Sequence, residues 1–233
     1  MINYQFSFSV VSHNQIDLVR KLIVSIEEHV KQYEIILTNN TKQDVSEFFQ
    51  VKNIRIIQNE TSKGFGENHN YAFKKSSGEC FVVINPDIII SKWSSSIEIK
   101  RGTIYTGLIF NPNGSRSDNV RGYPSIPNMI LRYLKYNKRH LSIWFAGMFL
   151  IFHRDDYKTL NGFDERFYMY LEDTDLCMRA RIAGVDLIEF RNIKMFHDSR
   201  RYSKKKIKYL LIHLSSLIKF YLKHPKVIFS LNP

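Results

Sequence analysis

Hydrophobic and polar positions in the first ninety residues switch repeatedly between two periods. Residues 6–11 (FSFSVV) read as a strand, and Ile16, Val19, Ile23, Ile26 and Val30 recur at the spacing of an amphipathic helix. Residues 33–37 form a second strand, ending at Thr38-Asn39-Asn40-Thr41; a short helix near 45–49 and a third strand at 54–58 follow. A helix opens at Gly64-Phe65-Gly66 and runs to about Lys75. Residues 81–84 (FVVI) are a buried fourth strand leading into Asn85-Pro86-Asp87. Strand alternating with helix predicts an α/β fold with a mixed, mostly parallel central sheet flanked by helices. In such sheets ligands gather beyond the carboxyl ends of the strands.

The second half reads less regularly. Residues 104–110 are a strand, Asn111-Pro112-Asn113-Gly114 is a strong turn, and a helix starts near Asn128. Residues 144–152 (WFAGMFLIF) are apolar on both faces and predict one central strand. Short strands are expected at 186–190 and 193–196, before His197. Beyond Lys204, Ile207, Leu211, Leu214, Ile218 and Tyr221 mark an amphipathic helix. No repeat or low-complexity linker divides the chain, so a single domain over 1–233 is expected. The alternation suits a nucleotide-binding half over about 1–87, followed by a second half over about 88–197 and a basic helical tail over about 198–233.

Residues 162–184 (GFDERFYMYLEDTDLCMRARIAG) stand apart, because an apolar, aromatic run delivers Glu172, Asp173 and Asp175 to one point. Carboxylates are costly to bury without partners. Acids are also favoured in a helix's first turn by its free N–H groups, so these residues alone leave capping and catalysis both open.

The net charge of +12 is concentrated at one end. Residues 191–226 hold 11 Lys or Arg against the single Asp198, which puts any basic partner surface at the C-terminus. That tail has three readings: a face on an anionic membrane, a helix packed on the domain with solvated lysines, or a nucleic-acid surface, for which no recognised fold is visible. Cys80 and Cys177 are isolated, the N-terminus lacks the features of a signal peptide, and no apolar run approaches a membrane span. A cytoplasmic protein, peripheral at most on the inner face of the plasma membrane, is the expectation.

In order, the chain carries VVSHN (10–14), TNNT (38–41), GFGENHN (64–70), NPD (85–87), GLIFNPNGS (107–115), RGYPS (121–125), FAGMFLIFHRDDY (145–157), the 162–184 stretch and His197. This ordered set resembles family 2 glycosyltransferases of the GT-A fold, close to a bacterial rhamnosyltransferase-like branch, from Phe6 to about Lys223. The resemblance implies that Ser12, His13 and Asn14, with Thr38, Asn39 and Asn40, hold the nucleoside. Gly64, Phe65 and Gly66 would pass beside the nucleotide, with Asn70 facing it and Asn85 nearby. Asp87 would stand for the last acid of the DXD motif and bind Mn²⁺ or Mg²⁺ on the donor's diphosphate, with His197 reaching the same metal. Asp173 would be the general base of an inverting transfer, with Glu172 its neighbour and fallback. The family has aspartate where this chain has Thr38, and Asn85 replaces a second acid of the metal motif.

The implied partners are a nucleotide-diphosphate sugar and a glycan acceptor, a polyprenyl-diphosphate-linked one among the candidates, in O-antigen, capsule or similar synthesis; nucleic acid is not expected. Chemically, the departing diphosphate needs its charge neutralised and the acceptor hydroxyl must lose a proton. One carboxylate with phosphate oxygens and water suffices for such a cation. Arg200 and Arg201 either clamp the diphosphate or are solvated. Two other functions remain open on the sequence: a non-catalytic basic binding module, and a nucleotidyltransferase on a related sheet.

Overall fold

The computed structural model describes residues 4–94, 97–133, 143–197 and 207–230. Arg200 and Arg201 lie outside the described residues. The first half follows the expected alternation: β1 (Phe6–Ser12), α1 (Ile16–His29), β2 (Tyr33–Asn39), a 3-10 turn at Ser46–Phe48, β3 (Ile54–Gln58), α2 (Phe65–Lys75) and β4 (Cys80–Ile84). Then come β5 (Ile88–Lys92), β6 (Thr103–Phe110), β7 (Val120–Gly122), α3 (Ile126–Tyr133), β8 (Ile143–Phe145), β9 (Phe149–His153), α4 (Arg154–Thr159), α5 (Glu172–Ile182), β10 (Asp186–His197) and α6 (Ile207–Lys223).

One eight-stranded sheet in the order β3-β2-β1-β4-β9-β6-β10-β5 carries the fold. β1, β2, β3 and β4 are mutually parallel, as are β6 and β10, whereas β9 runs antiparallel to β4 and β6, and β5 to β10. Both faces are covered at the middle of the sheet, where β4 and β9 are buried along their whole length. Alternate residues of β4 and β9 serve opposite sides: Val82, Ile84, Phe149 and Ile151 pack with α1, and Phe81, Val83, Leu150 and Phe152 with the elements after β9. On β1, Phe6, Phe8 and Val10 face α1, while Ser7 and Ser9 on the other face are also buried. Ser7 donates to Glu34 at 2.7 Å, and Ser9 bonds Nδ1 of His69 on α2 at 2.7 Å.

Two expectations are corrected here. Residues 144–152 are not one strand. Residues 143–145 pair with β7 in a separate two-stranded sheet, and 149–153 form the central strand. The break lies at Ala146-Gly147-Met148, whose backbone groups serve other partners: Ala146 N–H goes to Asn119 O (2.9 Å), and Met148 O accepts from Asn85 N–H (3.0 Å). The two strands expected at 186–190 and 193–196 are one strand, β10, with a register shift between Phe190 and Lys194.

Residues 207–223 of the tail form the helix α6, and the basic run before them lies outside the described residues. Ile207, Leu211, Leu214 and Ile218 are exposed, and α6 docks through the opposite face, with Ser216 and Phe220 buried. Ser216 donates to Met169 O at 2.9 Å and Lys219 Nζ to Arg166 O at 2.8 Å, so α6 lies along the 162–176 stretch. Among the described residues, no helix is long and apolar enough to cross a membrane.

Candidate active site

A cleft of about 850 Å³ opens at the carboxyl ends of β1, β2 and β4. Its lining includes His13 and Asn14 after β1, Asn40 after β2, Phe65 at the start of α2, and Asn85, Pro86 and Asp87 after β4. Ser12, Thr38 and Asn39 do not line it; they are buried in the strand ends. Asn39 donates to Gln43 O (2.7 Å) and Gln58 Oε1 (2.8 Å), holding the loop after β2. Thr38 Oγ1 is buried without a partner among the described residues. Asn40 closes a polar knot, accepting from Lys63 N–H and Asn59 Nδ2, both at 2.8 Å, and donating to Lys63 O at 2.9 Å. Lys63, Asn59 and Asn68 were not singled out by sequence, although they flank the glycine motif.

Gly64, Gly66 and Asn70 do not face this cleft. A Cβ on Gly64 would lie 2.8 Å from Tyr168 O, and one on Gly66 would lie 2.6 Å from Phe163 Cβ. The glycines thus let α2 and the 162–171 stretch touch backbone to backbone; Phe65 N–H donates to Tyr168 O at 2.9 Å. Asn70 lines a separate cavity of about 550 Å³. It donates to Phe163 O and Glu165 Oε1 and accepts from Phe163 N–H and Tyr157 OH, at 2.8–2.9 Å. All of its hydrogen-bonding capacity goes into anchoring the GFDE segment.

Asp87 and His197 meet at the cleft, although 110 residues separate them. Antiparallel pairing sets His197 opposite Ile88, and His197 Nε2 lies 3.1 Å from Asp87 Oδ2. Asp87 Oδ1 is buried and has no partner among the described residues. A carboxylate oxygen in that state is costly unless a further group completes it. The carboxylate oxygen suits Mn²⁺ or Mg²⁺, which take their remaining ligands from phosphate and water, and an imidazole nitrogen beside it is tolerated better by Mn²⁺ than by Mg²⁺. No cluster of three or more His, Cys, Asp or Glu occurs among the described residues.

The acids at 172–175 are delivered by an unusual backbone. Tyr170 and Leu171 both have left-handed φ, 70° and 65°, which bulky residues rarely adopt. This tight reversal turns α5 so that its first turn begins at Glu172. Asp173 Oδ2 accepts from Gly147 N–H at 2.8 Å, and Oδ1 from Thr174 N–H at 2.7 Å. Gly147 fits against Phe65, which lines the cleft: a Cβ there would stand 3.1 Å from Phe65 Cζ and 3.5 Å from Asp173 Cβ. A continuous run of contacts therefore joins the acid to the cleft floor, from Asp173 through Gly147 and Met148 to Asn85 beside Asp87.

The three acids have different environments. Glu172 is pushed well above the ordinary glutamate pKa, by burial first and then by the Asp173 charge, and its Oε2 has no partner among the described residues. Burial also raises Asp173, but N–H groups of Gly147 and Thr174 oppose the shift by stabilising the anion. Both carboxyls are thus raised, and the Gly147 and Thr174 N–H groups distinguish the surroundings of Asp173 from those of Glu172. Asp175 is fully buried; burial opposes its charge, yet His224, Arg179 and Lys223 hold its pKa below the ordinary value. It accepts from Arg179 Nε at 2.8 Å, Lys223 Nζ at 2.7 Å and His224 Nε2 at 2.8 Å, which fastens the end of α6 to α5.

The helix α6 also contributes Lys208, Tyr209 and Ile212 to the cleft, together with Tyr168 and Met169. Sequence reading marked the helix as basic but not as a wall of the site. Cys80 and Cys177 are buried with their thiols pushed up to about 12, chiefly by burial, so neither is a nucleophile at neutral pH.

A chain with this cleft is similar to several known proteins. It is 28% identical to Rhamnosyltransferase WbbL of Escherichia coli (strain K12) over 91% of this chain and 90% of that protein. Among solved structures, GalNAc-T7 with UDP, GalNAc and Mn²⁺ superposes with a TM-score of 0.72 at 12% identity, covering 94% of this chain and 48% of that one. The mannosyltransferase PcManGT from Pyrobaculum calidifontis, in complex with GDP-Man and Mn²⁺, gives 0.63 at 13%, covering 96% and 65%. The chain thus spans less than two thirds of either solved structure, and at those identities they establish the GT-A fold alone. A sequence model described as N-terminal domain of galactosyltransferase matches residues 129–206. The model of glycosyl transferase family 2 matches residues 7–160, which run from β1 to α4, and the chain belongs to that family of enzymes.

Proposed function

We propose that this glycosyltransferase moves a sugar from a nucleotide-diphosphate donor to a hydroxyl of a growing bacterial surface glycan, with inversion at the anomeric carbon. The observation that carries the reading is the Asp87–His197 pair at the end of β4, with an unpartnered Asp87 oxygen and a cleft beside it. His13, Asn14 and Asn40 offer polar groups for the nucleoside. Thr38, buried with its hydroxyl unpartnered, stands where an aspartate would read a base, which favours a donor held by other contacts.

Asp87 and His197 would hold Mn²⁺ or Mg²⁺, and the cation would neutralise the charge that gathers on the departing diphosphate. That two solved relatives by fold contain Mn²⁺ supports the choice of metal. Asp173 takes the acceptor's proton: it is the more readily ionised of the adjacent acids, and two N–H donors fix its orientation. A carboxylate base in hydrogen-bond reach contributes about 10²–10⁴-fold. Glu172 keeps its proton and leaves Asp173 the sole anion of the pair. The acceptor lies along Tyr168, Met169, Tyr209 and Ile212, where exposed rings suit a sugar. Its similarity to a rhamnosyltransferase makes a deoxyhexose such as rhamnose the first donor to try, and a polyprenyl-diphosphate-linked glycan at the cytoplasmic membrane face the first acceptor.

The test is a thermal-shift panel of nucleotide sugars, each with and without Mn²⁺. One donor class should raise the melting temperature by mass action, and more with metal. No response to any donor, with or without metal, would remove this reading of the cleft.

A further inference from the structure

The outward face of α6 is apolar. Ile207, Leu210, Leu211, Leu214, Ile218 and Leu222 are each 45–78% exposed and share one side of the 17-residue helix, opposite Ser216 and Phe220. A surface helix normally turns its polar side outward, and an apolar stripe of this length marks an interaction surface. The stripe adjoins a second one: exposed Ile126, Ile130 and Tyr133 lie on α3, whose first N–H donates to Ile228 O at 2.8 Å, next to exposed Phe229. Tyr221 OH donates to Pro124 O at 2.5 Å, tying α6 to the same corner.

The chemistry around the stripe selects its occupant. Lys208 and Lys219 flank it on one side, and Lys226 follows the helix. No acid occurs anywhere in residues 199–233, whereas Lys or Arg occurs nine times there. A protein partner formed by a second copy would set like charges against each other. A long apolar stripe edged by lysines, on a helix of about 25 Å that is too short and too flanked by charge to span, fits the interface of an anionic bilayer.

We propose that α6 lies flat in the headgroup region of an anionic membrane leaflet, with its stripe among the acyl chains and the α3–Phe229 corner beside it. The first half of the same helix lines the cleft through Lys208, Tyr209 and Ile212, so the docked face brings the cleft mouth to the lipid surface. An amphiphilic acceptor could then reach the cleft without leaving the bilayer. Only that last consequence rests on the proposed glycosyl transfer; the docking face does not.

The test is flotation of the full chain with phosphatidylcholine vesicles, with and without phosphatidylglycerol, comparing wild type with the triple variant Leu211→Ser, Leu214→Ser, Ile218→Ser. Wild type should float with the anionic vesicles and several-fold less with the neutral ones. The variant should lose about ten-fold or more of its binding. Its melting temperature and its response to donor should stay as in wild type, because these side chains touch neither core nor cleft. Equal flotation of variant and wild type, or none by wild type, overturns the proposal. So does a wild-type dimer in solution that the variant turns into monomers, which would make the stripe a protein interface. A chain that floats but answers no donor would fail the functional reading and keep this one.

Discussion

Gly147 donates its N–H to Asp173 Oδ2 at 2.8 Å, across 26 residues of sequence. The bond exists because Gly147 sits in the break between β8 and β9, where its amide is free of any ladder. It fixes the orientation of the proposed base and stabilises its anionic form. The same residue packs against Phe65, which lines the cleft.

Gly147→Ala places a methyl carbon 3.1–3.2 Å from the edge of the Phe65 ring and 3.5 Å from Asp173 Cβ. The Phe65 ring must give by a few tenths of an ångström, whereas the approach to Asp173 is ordinary contact. We expect the fold to persist and kcat to fall about 10–100-fold, with a smaller change in donor affinity, since small misplacements near the chemistry are costly. Unchanged kcat with an unchanged circular dichroism spectrum would mean that this contact does not position the base.

Asp173→Asn should lower kcat about 10²–10⁴-fold while donor binding persists. Glu172→Gln replaces a group that already holds its proton, so it should cost far less. Asp173 must be ionised to work, and burial raises its pKa. The acidic limb of the pH–kcat/KM profile should therefore fall at a higher pH than an ordinary aspartate would give. A severe loss in Glu172→Gln with little in Asp173→Asn would exchange the two roles.

Asp87→Ala and His197→Ala should each reduce or abolish the extra thermal shift that Mn²⁺ gives in the presence of donor. His197→Ala should do less, because a neutral ring contributes less to cation binding than a carboxylate does. Chelation should reproduce the effect in the wild type. A metal response that survives in Asp87→Ala would place the ion elsewhere.

Asp175 is the buried fastener of α6. Because its folded pKa is depressed, its contribution is fully present above its unfolded value of about 3.9 and is lost as pH falls through the folded one. Asp175→Asn strands Arg179 and Lys223, both partly exposed, so a loss of roughly 2–3 kcal/mol is expected. Hydrogen exchange should then rise in residues 207–223 before the central sheet. Uniform protection across both would contradict the fastening role.

The parallel half of the fold was legible because two-sided burial in β1, β2 and β4 and the helical period of α1 are local signals. The residues of 144–152 misled because composition cannot show that Ala146-Gly147-Met148 serve distant partners instead of a ladder. The glycines of 64–66 were visible as a close approach, but sequence does not say to what; Tyr168 and Phe163 are the answer. Asn70 failed for the same reason, its amide being absorbed by Phe163, Glu165 and Tyr157. The period of α6 was legible but not its direction, since an apolar stripe does not say whether it meets the core, and Ser216 and Phe220 are the buried face. The left-handed pair Tyr170 and Leu171 carries no sequence signal at all, because neither residue type favours that conformation.

The central claim is that the cleft holds a nucleotide sugar and that Asp173 drives sugar transfer from it. The most direct measurement supplies each nucleotide sugar with Mn²⁺ and a glycan acceptor and identifies the released product, for wild type and Asp173→Asn. The account predicts a nucleoside diphosphate, formed at least about a hundred-fold more slowly by Asp173→Asn. Release of pyrophosphate, or equal rates from the two proteins, would contradict it.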